Sequence, residues 1–460
     1  MTHRLCVCAI WFLVCLSVGA MPEAGAQAVG TSGDAGEPLR LDDVLNEAMR
    51  NNPDVQIAEN EAAIAARDAS LGNAGFLPEL SVQARYNETI SDTEQQFRGQ
   101  DSEEITGART TNTGADANLS WRVFDGLGRF ATLSQLRAER RAAQERSRSA
   151  TDQLLTDAAL AYYRVAREQR QRTVLQEAVE VSQERLRIAE LRNEVGSASD
   201  LEVRQAQVDL NADRSALLRQ VSALESAKAD LNRVRGRRTT ATNFTVDIAI
   251  DIDDTLVPEQ LRQSLERTNP VLLQARSALR AAEQEHQAIR AERLPSLDAS
   301  IGYGVSRTDS ESGFLIQSTS YDLTYGLSLQ LPIFTGFERQ RRRQNAQVRI
   351  RNAELAVTDV ESELLAVLTR AYAEYQNRLD VVALETENLE IATANVDIAL
   401  EQFRLGDISS IELREVQEQA IRAESQLVGA RFDAKQAELT LRELSGTIQT
   451  DLLPQPNTDM

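Results

Sequence analysis

Four segments of the chain alternate apolar and polar residues with a period of two. They lie at 80–87, 115–123, 297–306 and 321–333. One side of each segment carries mainly aliphatic residues and tyrosine, and the other carries small, polar or charged residues. Alternation over about ten residues is typical of a β-strand between an apolar and a wet environment. A half-buried sheet of a soluble protein alternates in the same way, so the pattern fits both settings.

Very long helical segments follow each pair of predicted strands. From about 127 to 192 the chain has no proline, and no glycine after Gly128. At about 1.5 Å per residue, such a helix would extend roughly 100 Å, far beyond the usual length in globular proteins. Apolar and small residues recur at spacings of three and four, as in helices packed side by side in a coiled coil. They include Leu175, Val179, Ser182, Leu186 and Ala189, and later Leu389, Ala392, Val396 and Ala399.

The second half of the chain repeats the order of the first. Matching elements are Asn52-Pro53 with Asn269-Pro270, at an offset of 217, and Gly196 with Gly406, at an offset of 210. The difference between the offsets means that the first copy carries seven extra residues between Leu80 and Phe124. Because the order of helices, strands and turns recurs, the sequence predicts one supersecondary unit used twice.

The predicted division of the chain has five parts. They are a signal peptide at 1–26, a first repeat at 27–236, a linker or short strand at 237–257, a second repeat at 258–446 and a C-terminal tail at 447–460. In the first repeat, a helix precedes the strand pair 78–124 and the helical hairpin 127–235. In the second repeat, a helix precedes the strand pair 295–334 and the hairpin 337–445.

The first 26 residues have the features of a secretory signal peptide. A basic start precedes an apolar run from Leu5 to Val18, and Ala24-Gly25-Ala26 fits a cleavage site. The mature protein is therefore expected in the periplasm, in the outer membrane or outside the cell. No later apolar stretch approaches the roughly 20 residues of a transmembrane helix.

Cysteine and charge usage exclude several classes of protein. The cysteines are Cys6, Cys8 and Cys15, all within the predicted signal, so the mature chain is expected to have no disulfide. Cys15 is a poor site for lipid attachment, because Val14 before it is larger than the usual residue. The formal net charge is −20, which disfavours nucleic acid and anionic lipid as partners, because both need clustered Lys and Arg.

A chain that crosses a membrane without an apolar helix must do so with strands closed into a barrel. Four strands cannot close a barrel around an open lumen, and open strand edges are not tolerated in lipid. The sequence therefore predicts an α+β membrane protein that forms oligomers. The strand faces opposite the apolar rows would line the lumen, where Asp116, Asp298 and Asp322 would keep the bore wet and favourable to cations.

In this order of elements, the chain resembles the TolC-type outer-membrane efflux proteins over essentially its whole mature length. The resemblance is carried by the repeated Asn-Pro and Leu-Pro pairs, by Leu331-Pro332-Ile333-Phe334-Thr335-Gly336 before a long helix, and by the turns Val195-Gly196-Ser197 and Leu405-Gly406-Asp407. No single motif is specific, but their order and duplication are. The resemblance implies a homotrimer whose twelve strands form one transmembrane β-barrel in outer-membrane lipid. A long α-helical barrel would continue it across the periplasm.

The resemblance also implies a function and partners. The protein would be the passive exit duct of a tripartite efflux or type I secretion system of a Gram-negative type of envelope. Its partners would be a periplasmic adaptor (membrane fusion) protein and an inner-membrane pump that supplies the energy. The competing interpretation is a soluble periplasmic coiled-coil adaptor without a pore. The transported substrate does not follow from the sequence.

Two groups of site residues follow from the resemblance. Adaptor-docking tips would lie at Val195, Gly196, Ser197, Leu405, Gly406 and Asp407. A periplasmic gate would contain Glu202, Glu412 and Glu415 as rings of carboxylates, with Arg404 and Arg414 holding the closed tip through ion pairs. The ring at Glu415 would be asymmetric, since Gln205 stands at the matching position of the first repeat.

Each of these sites also has a structural interpretation. Gly196 and Gly406 would simply end a helix in a left-handed conformation. Ser199-x-x-Glu202 and Ser409-x-x-Glu412 have the spacing of capping boxes, in which the glutamate bonds back to the serine N–H. Glu415 has no such role and is the clearer candidate for the gate.

The sequence has no pattern typical of an enzyme, a cofactor site or a metal site. His286 is the only histidine after the predicted signal, and its polar surroundings suggest a solvated side chain. Gly126-Leu127-Gly128 and Ala131 match a dinucleotide-binding fingerprint in letters, but the amphipathic strand before them and the long helix after them do not suit that fold.

Overall fold

The computed structural model describes residues 38–96, 98–99, 101–312, 315–405 and 407–453. The predicted signal peptide, Gly406 and the last seven residues of the predicted tail lie outside the described residues. The elements are α1 (Leu41–Asn51), α2 (Pro53–Asp68), β1 (Glu79–Gln95), β2 (Glu103–Asp125), α3 (Gly128–Glu194), α4 (Asp200–Val234), α5 (Pro258–Thr268), α6 (Pro270–Ala291), β3 (Ser296–Ser310), β4 (Gln317–Gln330), α7 (Glu338–Leu405), α8 (Ser410–Ser445) and α9 (Ile448–Leu452). Among the helices described, none combines the length and apolar character needed to span a bilayer.

The four alternating segments form one antiparallel sheet in the order β1-β2-β3-β4. Residues paired across the four strands form rows that are either apolar or polar. Leu80, Leu119, Ile301 and Tyr325 form an apolar row, and Gln83, Asp116, Gly304 and Asp322 form a polar one. Because residues paired across strands lie on the same face, the sheet has one apolar and one polar face. Within the described residues, β1 and β4 each have one edge without a paired strand.

The apolar face of the sheet is uncovered in the single chain. Tyr325 is 80% exposed, and Val82, Ile301, Leu323 and Leu327 are exposed as well. A contiguous apolar surface of this kind marks a contact with lipid or with another protein, unlike scattered surface hydrophobics. The sheet thus presents both an apolar face and two open edges for further contacts.

The two longest helices, α3 and α7, have 67 and 68 residues. Neither contains a proline, and their only glycine is Gly128 at the start of α3, so nothing in their backbones interrupts the helix. The returning helices α4 and α8 have 35 and 36 residues. They pack against α3 and α7 respectively, on the half farther from the sheet. Nearer the sheet, α2 packs on α3, and α6 packs on both α3 and α7.

The helix predicted before each strand pair is divided in two at its Asn-Pro pair. Pro53 and Pro270 occupy the first turn of α2 and α6, and the preceding Asn52 and Asn269 have extended backbones. A residue before proline avoids the α conformation, which explains the break. Each asparagine side chain caps its helix and also donates a hydrogen bond to the end of a returning helix, from Asn52 to the Val234 carbonyl at 3.1 Å and from Asn269 to the Leu444 carbonyl at 2.9 Å. The stacked helices are thereby fixed end to end.

The linker and the tail differ from the sequence-based expectation. In place of a short strand around 244–248, the structure has a single parallel bridge from Val246 to Leu39. The tail, which showed no recognisable pattern, contains the short helix α9, whose Ile448 is fully buried. Ile448 belongs to the core that Leu45, Leu155 and Leu231 form between α1, α3 and α4.

Candidate functional site: the helical tips

The first tip joins α3 to α4 through a tight left-handed turn. Gly196 has a φ of +73°, and its N–H donates to the Asn193 carbonyl at 2.9 Å. The Ser197 N–H reaches back five residues to the Arg192 carbonyl at 2.7 Å. This pattern closes a helix C-terminus and favours glycine at the positive φ. Val195 and Ser197 are exposed at the end of the hairpin, so the turn also presents these side chains to solvent.

The second tip joins α7 to α8. Leu405 is the last residue of α7 and is exposed, and the Asp407 N–H donates to the Gln402 carbonyl at 2.9 Å. Gly406, predicted at this tip, lies outside the described residues. The five-residue reach of the Asp407 N–H is the same as that of Ser197 in the first tip.

The two candidate capping boxes are not equivalent. Ser409 accepts the Glu412 N–H at 3.2 Å, and the Glu412 carboxylate accepts the Ser409 N–H at 2.7 Å, so the second box is complete. These hydrogen bonds lower the pKa of Glu412. In the first box only one half is formed, since Ser199 accepts the Glu202 N–H at 3.3 Å without a return bond from the Glu202 carboxylate. Glu202 is thus less constrained than the sequence pattern predicted.

Arg414 connects the second hairpin to the first. Its guanidinium binds both carboxylate oxygens of Asp213 on α4, at 2.7 and 3.1 Å, and donates to the Ser182 hydroxyl on α3 at 3.0 Å. Ser182 in turn donates to Asp213. The Arg414 and Asp213 side chains are only 15% and 16% exposed, so water screens this pair weakly. The hydrogen bonds with Asp213 raise the pKa of Arg414 further above its usual range. We call Arg414, Asp213 and Ser182 the tip latch.

A second arginine lies beside the tip latch. Arg185 on α3 pairs with Asp209 at 3.5 Å and donates to the Ser410 carbonyl at the start of α8 at 3.3 Å. Burial, together with the nearby charge of Arg414, lowers the pKa of Arg185. By contrast, Arg404 is 75% exposed and pairs only with Glu401 of its own helix. Within the described chain, the ion pair of Arg404 thus stays within α7, and its predicted role at the closed tip remains a prediction.

A cavity of about 1550 Å³ lies between the four long helices near the tips. It brings together Glu202, Arg404, Leu405 and Arg414 from the predicted site. Glu412 and Glu415 do not line it, and Glu415 is exposed without a side-chain partner in the described chain. Of the residues predicted for the gate, Glu202, Arg404 and Arg414 thus share one cavity of the described chain, and Glu412 and Glu415 lie outside its lining.

The three predicted lumen aspartates share the polar face of the sheet. Asp116 and Asp322 flank Gly304 in one row, while Asp298 lies in another. Asp116 forms an ion pair with Arg85. Asp298 pairs with Arg122 at 2.9 Å, whereas Asp322 accepts only a hydrogen bond from Ser320. These arginines partly offset the negative charge that we expected on this face.

His286 differs from the solvated side chain predicted for it. Its Nε2 is buried and has no hydrogen-bond partner among the residues that the structure describes. Burial together with Arg290 and Arg343 lowers the pKa of His286. Across the described ranges, no group of three or more His, Cys, Asp or Glu side chains is arranged to hold a metal ion.

Sequence reasoning missed the partners of Arg414. Asp213 and Ser182 stand 201 and 232 residues away from it along the chain. The only sequence signal is that Ser182 is a small polar residue within the apolar stripe of α3, at a position where Ala or Leu would be typical.

Comparison with known proteins agrees with this architecture. The sequence model described as outer membrane efflux protein matches residues 44–254 and 261–447. The chain is 27% identical over 393 residues to Protein CyaE of Bordetella pertussis, covering 81% of this chain and 80% of that protein. It is 23% identical over 446 residues to Outer membrane protein TolC of Vibrio cholerae, covering 93% and 95%. The crystal structure of the outer membrane protein VceC from Vibrio cholerae has the same fold, with a TM-score of 0.70 at 18% identity over 88% of this chain and 96% of that one.

Proposed function

The chain belongs to the outer membrane efflux protein family, and on this premise we propose that it forms the exit duct of an efflux or type I secretion system. It is an outer-membrane protein whose helices extend into the periplasm. Substrates would pass passively from an inner-membrane pump to the exterior, and the chain itself would catalyse no reaction. The observation that carries the proposal is a sheet with an uncovered apolar face and two open edges, attached to helices of about 100 Å.

Three copies would complete the membrane-spanning part. Open strand edges in lipid leave backbone groups without hydrogen bonds, so β4 of one copy must pair with β1 of the next. Three sheets of four strands give twelve strands, which suffice for an aqueous lumen surrounded by lipid. The apolar rows would face the lipid, and the polar rows with Asp116, Asp298 and Asp322 would face the lumen.

An internal duplication would supply the approximate symmetry of this assembly. The order helix, helix, strand, strand, long helix, returning helix occurs from α1 to α4 and again from α5 to α8. The offsets of 217 and 210 between matching motifs support a common origin of the two halves. Repeats of this kind would occupy 27–236 and 258–446 and alternate around a single barrel.

The tips would be the docking surface for a periplasmic adaptor. Val195 and Leu405 are exposed apolar side chains at the ends of two hairpins, where an isolated chain gains nothing from them. An adaptor that covers Val195, Ser197, Leu405 and Asp407 would bury these residues and join the duct to the pump.

The tip latch would keep the periplasmic end closed. Arg414 joins α8 to α3 and α4 through a bidentate, poorly solvated ion pair, which is stronger than an exposed pair. Separating the two hairpins would break it. Glu415, exposed on α8, would form a ring of carboxylates at the same end and favour cations.

The decisive experiment is the isolation of the protein and its reconstitution. We expect a trimer that requires detergent and that inserts into planar bilayers as a small, mostly closed channel. A soluble coiled-coil adaptor would need no detergent and would form no channel. A monodisperse monomer in detergent-free buffer would therefore overturn the proposed function.

A further inference from the structure

The two outer helices next to the sheet, α2 and α7, each lack a neighbour on one side. Close to the sheet, α2 packs on α3, α3 packs on α6, and α6 packs on α7. The order across this layer is thus α2, α3, α6 and α7, in parallel with the strand order β1-β2-β3-β4. Within the described chain, nothing covers the outer side of α2 or of α7.

Apolar residues with heptad spacing mark both uncovered sides. On α2 and the turn after it, Ile57, Ile64 and Leu71 are 56%, 56% and 51% exposed. On α7, Val348 and Leu355 are 57% and 62% exposed. Residues seven apart lie on one face of a helix, and such rows pack together in coiled coils. The opposite face of α7 is already used, since Ala346 is fully buried there.

The two sides also carry opposite charge. Helix α2 has four acidic residues and one arginine, whereas the first fourteen residues of α7 have six arginines and one glutamate. Glu61 and Arg351 are exposed and form no ion pair within the described chain. Helix α6, the counterpart of α2 in the second repeat, has three arginines and two glutamates, and one of these, Glu285, already pairs with Arg349 of α7. Arg341, like Arg351, is exposed and forms no ion pair within the described chain, so these arginines are left to meet the acidic α2 of another copy.

The contact between α3 and α6 within the chain indicates which residues of α2 and α7 would face each other between two copies. A Cβ placed on Gly128 would lie 3.3 Å from the Cβ of Ala291. The repeat offsets carry these positions to Glu338 and Ala74. Helix α7 runs away from the sheet and α2 runs towards it. Residues 69–75, after the end of α2 at Asp68, form turns and not helix. Counting back through these turns into α2, and forward along α7, aligns Leu71 with Arg341, Ile64 with Val348, Glu61 with Arg351, and Ile57 with Leu355.

The strand pairing, carried across by the same repeat offsets, gives nearly the same alignment. Leu119 pairs with Ile301 between β2 and β3, and the same offsets carry this pair to Leu329 on β4 and Ala84 on β1. This pairing of β1 with β4 of another copy differs by one residue from the alignment obtained from the helices. Rows identified only by their exposure thus coincide with rows placed by the internal repeat.

We propose that α7 of one copy docks on α2 of the next copy, with Val348 against Ile64 and Arg351 beside Glu61. The occupant of this surface is a second copy of the chain, and acidic-to-basic pairing selects the outer helices as partners. The inference rests on the proposed three-copy assembly and adds to it a defined surface and register. We call this contact the copy seam.

Cysteine cross-linking tests the register. Beyond residue 15 the sequence has no cysteine, so any disulfide formed in that part of the chain must involve the introduced cysteines. Ile64→Cys combined with Val348→Cys should form covalent dimers and trimers on mild oxidation, because aligned residues of packed helices come within disulfide reach. Ile64→Cys combined with Leu355→Cys is the matched control, since the same face is then displaced by one heptad, about 10 Å.

The outcomes separate the copy seam from the assembly itself. If the control pair, Ile64→Cys with Leu355→Cys, cross-links and Ile64→Cys with Val348→Cys does not, the proposed register is wrong. Native-size trimers in which neither pair cross-links would overturn the copy seam while leaving the exit duct intact. If the protein is a monomer in detergent, and α2 therefore has no second copy to contact, the result would instead contradict the proposed function.

A charge exchange tests the recognition. Glu61→Arg alone and Arg351→Glu alone should each reduce the cross-linked fraction of the Ile64 and Val348 pair about two- to fivefold. The two changes together should restore it, because the ion pair is re-formed with its polarity reversed. Equal loss in the single and combined variants would show that the charges do not select the partner.

Discussion

At the scale of single residues, Arg414 is the side chain on which closure of the tips depends most. Removing one partner of a poorly solvated pair leaves the other charge without compensation, which costs more than the pair contributes. Arg414→Ala should therefore separate the hairpins and destabilise the closed end by about 1–3 kcal/mol. We expect more frequent and larger openings in single-channel recordings from planar bilayers.

Arg404→Ala is the matched control for this variant. Arg404 is highly exposed and pairs only within α7, so its loss should change channel opening little. Asp213→Asn should reproduce the effect of Arg414→Ala, since it removes the other charge of the tip latch. Equal open probability in the Arg404 and Arg414 variants would exclude the latch.

Glu415 and Glu412 allow ion selectivity to be separated from helix capping. Glu415→Gln should lower the preference for cations with little loss of stability, since its carboxylate has no partner in the described chain. Glu412→Gln keeps an oxygen that accepts the Ser409 N–H, so a change there reports charge alone. Reversal potentials in asymmetric KCl measure both. Unchanged selectivity in the two variants would assign these glutamates a structural role and leave Asp322 as the charge to test.

The local part of this site was visible in the sequence, and the long-range part was not. A glycine after a helix and a serine three residues before a glutamate are signals within a few residues, because the hydrogen bonds that they make are equally local. Ser409 and Glu412 behave as their spacing predicts. The tip latch joins three helices that meet only in the folded chain, and no spacing in the sequence encodes that meeting.

At the scale of elements, glycines at helix ends serve two different purposes. Gly196 and Gly236 both follow a long hairpin helix and have nearly equal φ angles of +73° and +70°. A Cβ on Gly196 would meet no atom within 4 Å, whereas one on Gly236 would lie 2.5 Å from the Asn51 carbonyl oxygen. Gly196 is thus required only because of its positive φ. Gly236 is required for the same reason and also because the end of α1 leaves no room for a Cβ.

This difference predicts unequal costs for the same substitution. Gly196→Ala should lower the free energy of unfolding by about 1–2 kcal/mol, the cost of a left-handed conformation for a residue with a Cβ. Gly236→Ala should cost more, because the junction of α1 and α2 must also move. Denaturant unfolding in detergent measures both. Equal destabilisation by the two variants would show that the end-to-end contact of the helices is loose.

The elements that the sequence predicted well are those with a long periodic pattern. The strands and the hairpin helices repeat their apolar positions many times, so one irregular residue does not obscure them. Helix α9 has five residues, too few for any periodicity. Its position depends on buried contacts such as the hydrogen bond from Gln449 to Asp152 at 2.6 Å, and the sequence alone does not reveal those contacts.

At the scale of the whole molecule, an average property can hide a local one. The net charge of −20 disfavours partners that need clustered Lys and Arg, yet the start of α7 concentrates six arginines within fourteen residues. Its complement is the acidic α2 of the proposed neighbour. The charge pattern thus becomes interpretable only when several copies are considered together.

The acidic chain also contains buried carboxyl groups that should make its stability depend on pH. Burial raises the pKa of Asp152 on α3 and of Glu443 on α8 above their ordinary values of 3.8 and 4.5. Asp152 Oδ2 has no hydrogen-bond partner in the described chain. A group with a raised pKa binds its proton more tightly in the folded state, so stability increases as pH falls through the raised pKa towards the ordinary one.

Carboxyl groups with a lowered pKa act in the opposite sense, but only at lower pH. Hydrogen bonds from Thr255 lower the pKa of Asp253. The stabilisation from such a group is complete above its ordinary pKa and is lost as pH falls through the lowered value. At pH 5.5 this contribution is still intact. His286, by contrast, has a pKa lowered below its ordinary value of 6.5, so it makes stability fall as pH drops through that value. With His286 replaced by Gln, Asp152 and Glu443 should set the sign of the change.

In a His286→Gln background, we accordingly expect the detergent-solubilised protein to unfold at a temperature about 1–3 °C higher at pH 5.5 than at pH 7.5. Asp152→Asn combined with Glu443→Gln should raise the unfolding temperature at pH 7.5, because neither side chain then has to be buried as a charge. It should also remove most of the difference between the two pH values. Glu387→Gln, an exposed position on α7, is the control and should leave the difference unchanged. A pH dependence that persists in the double variant would place its origin in groups other than this buried pair.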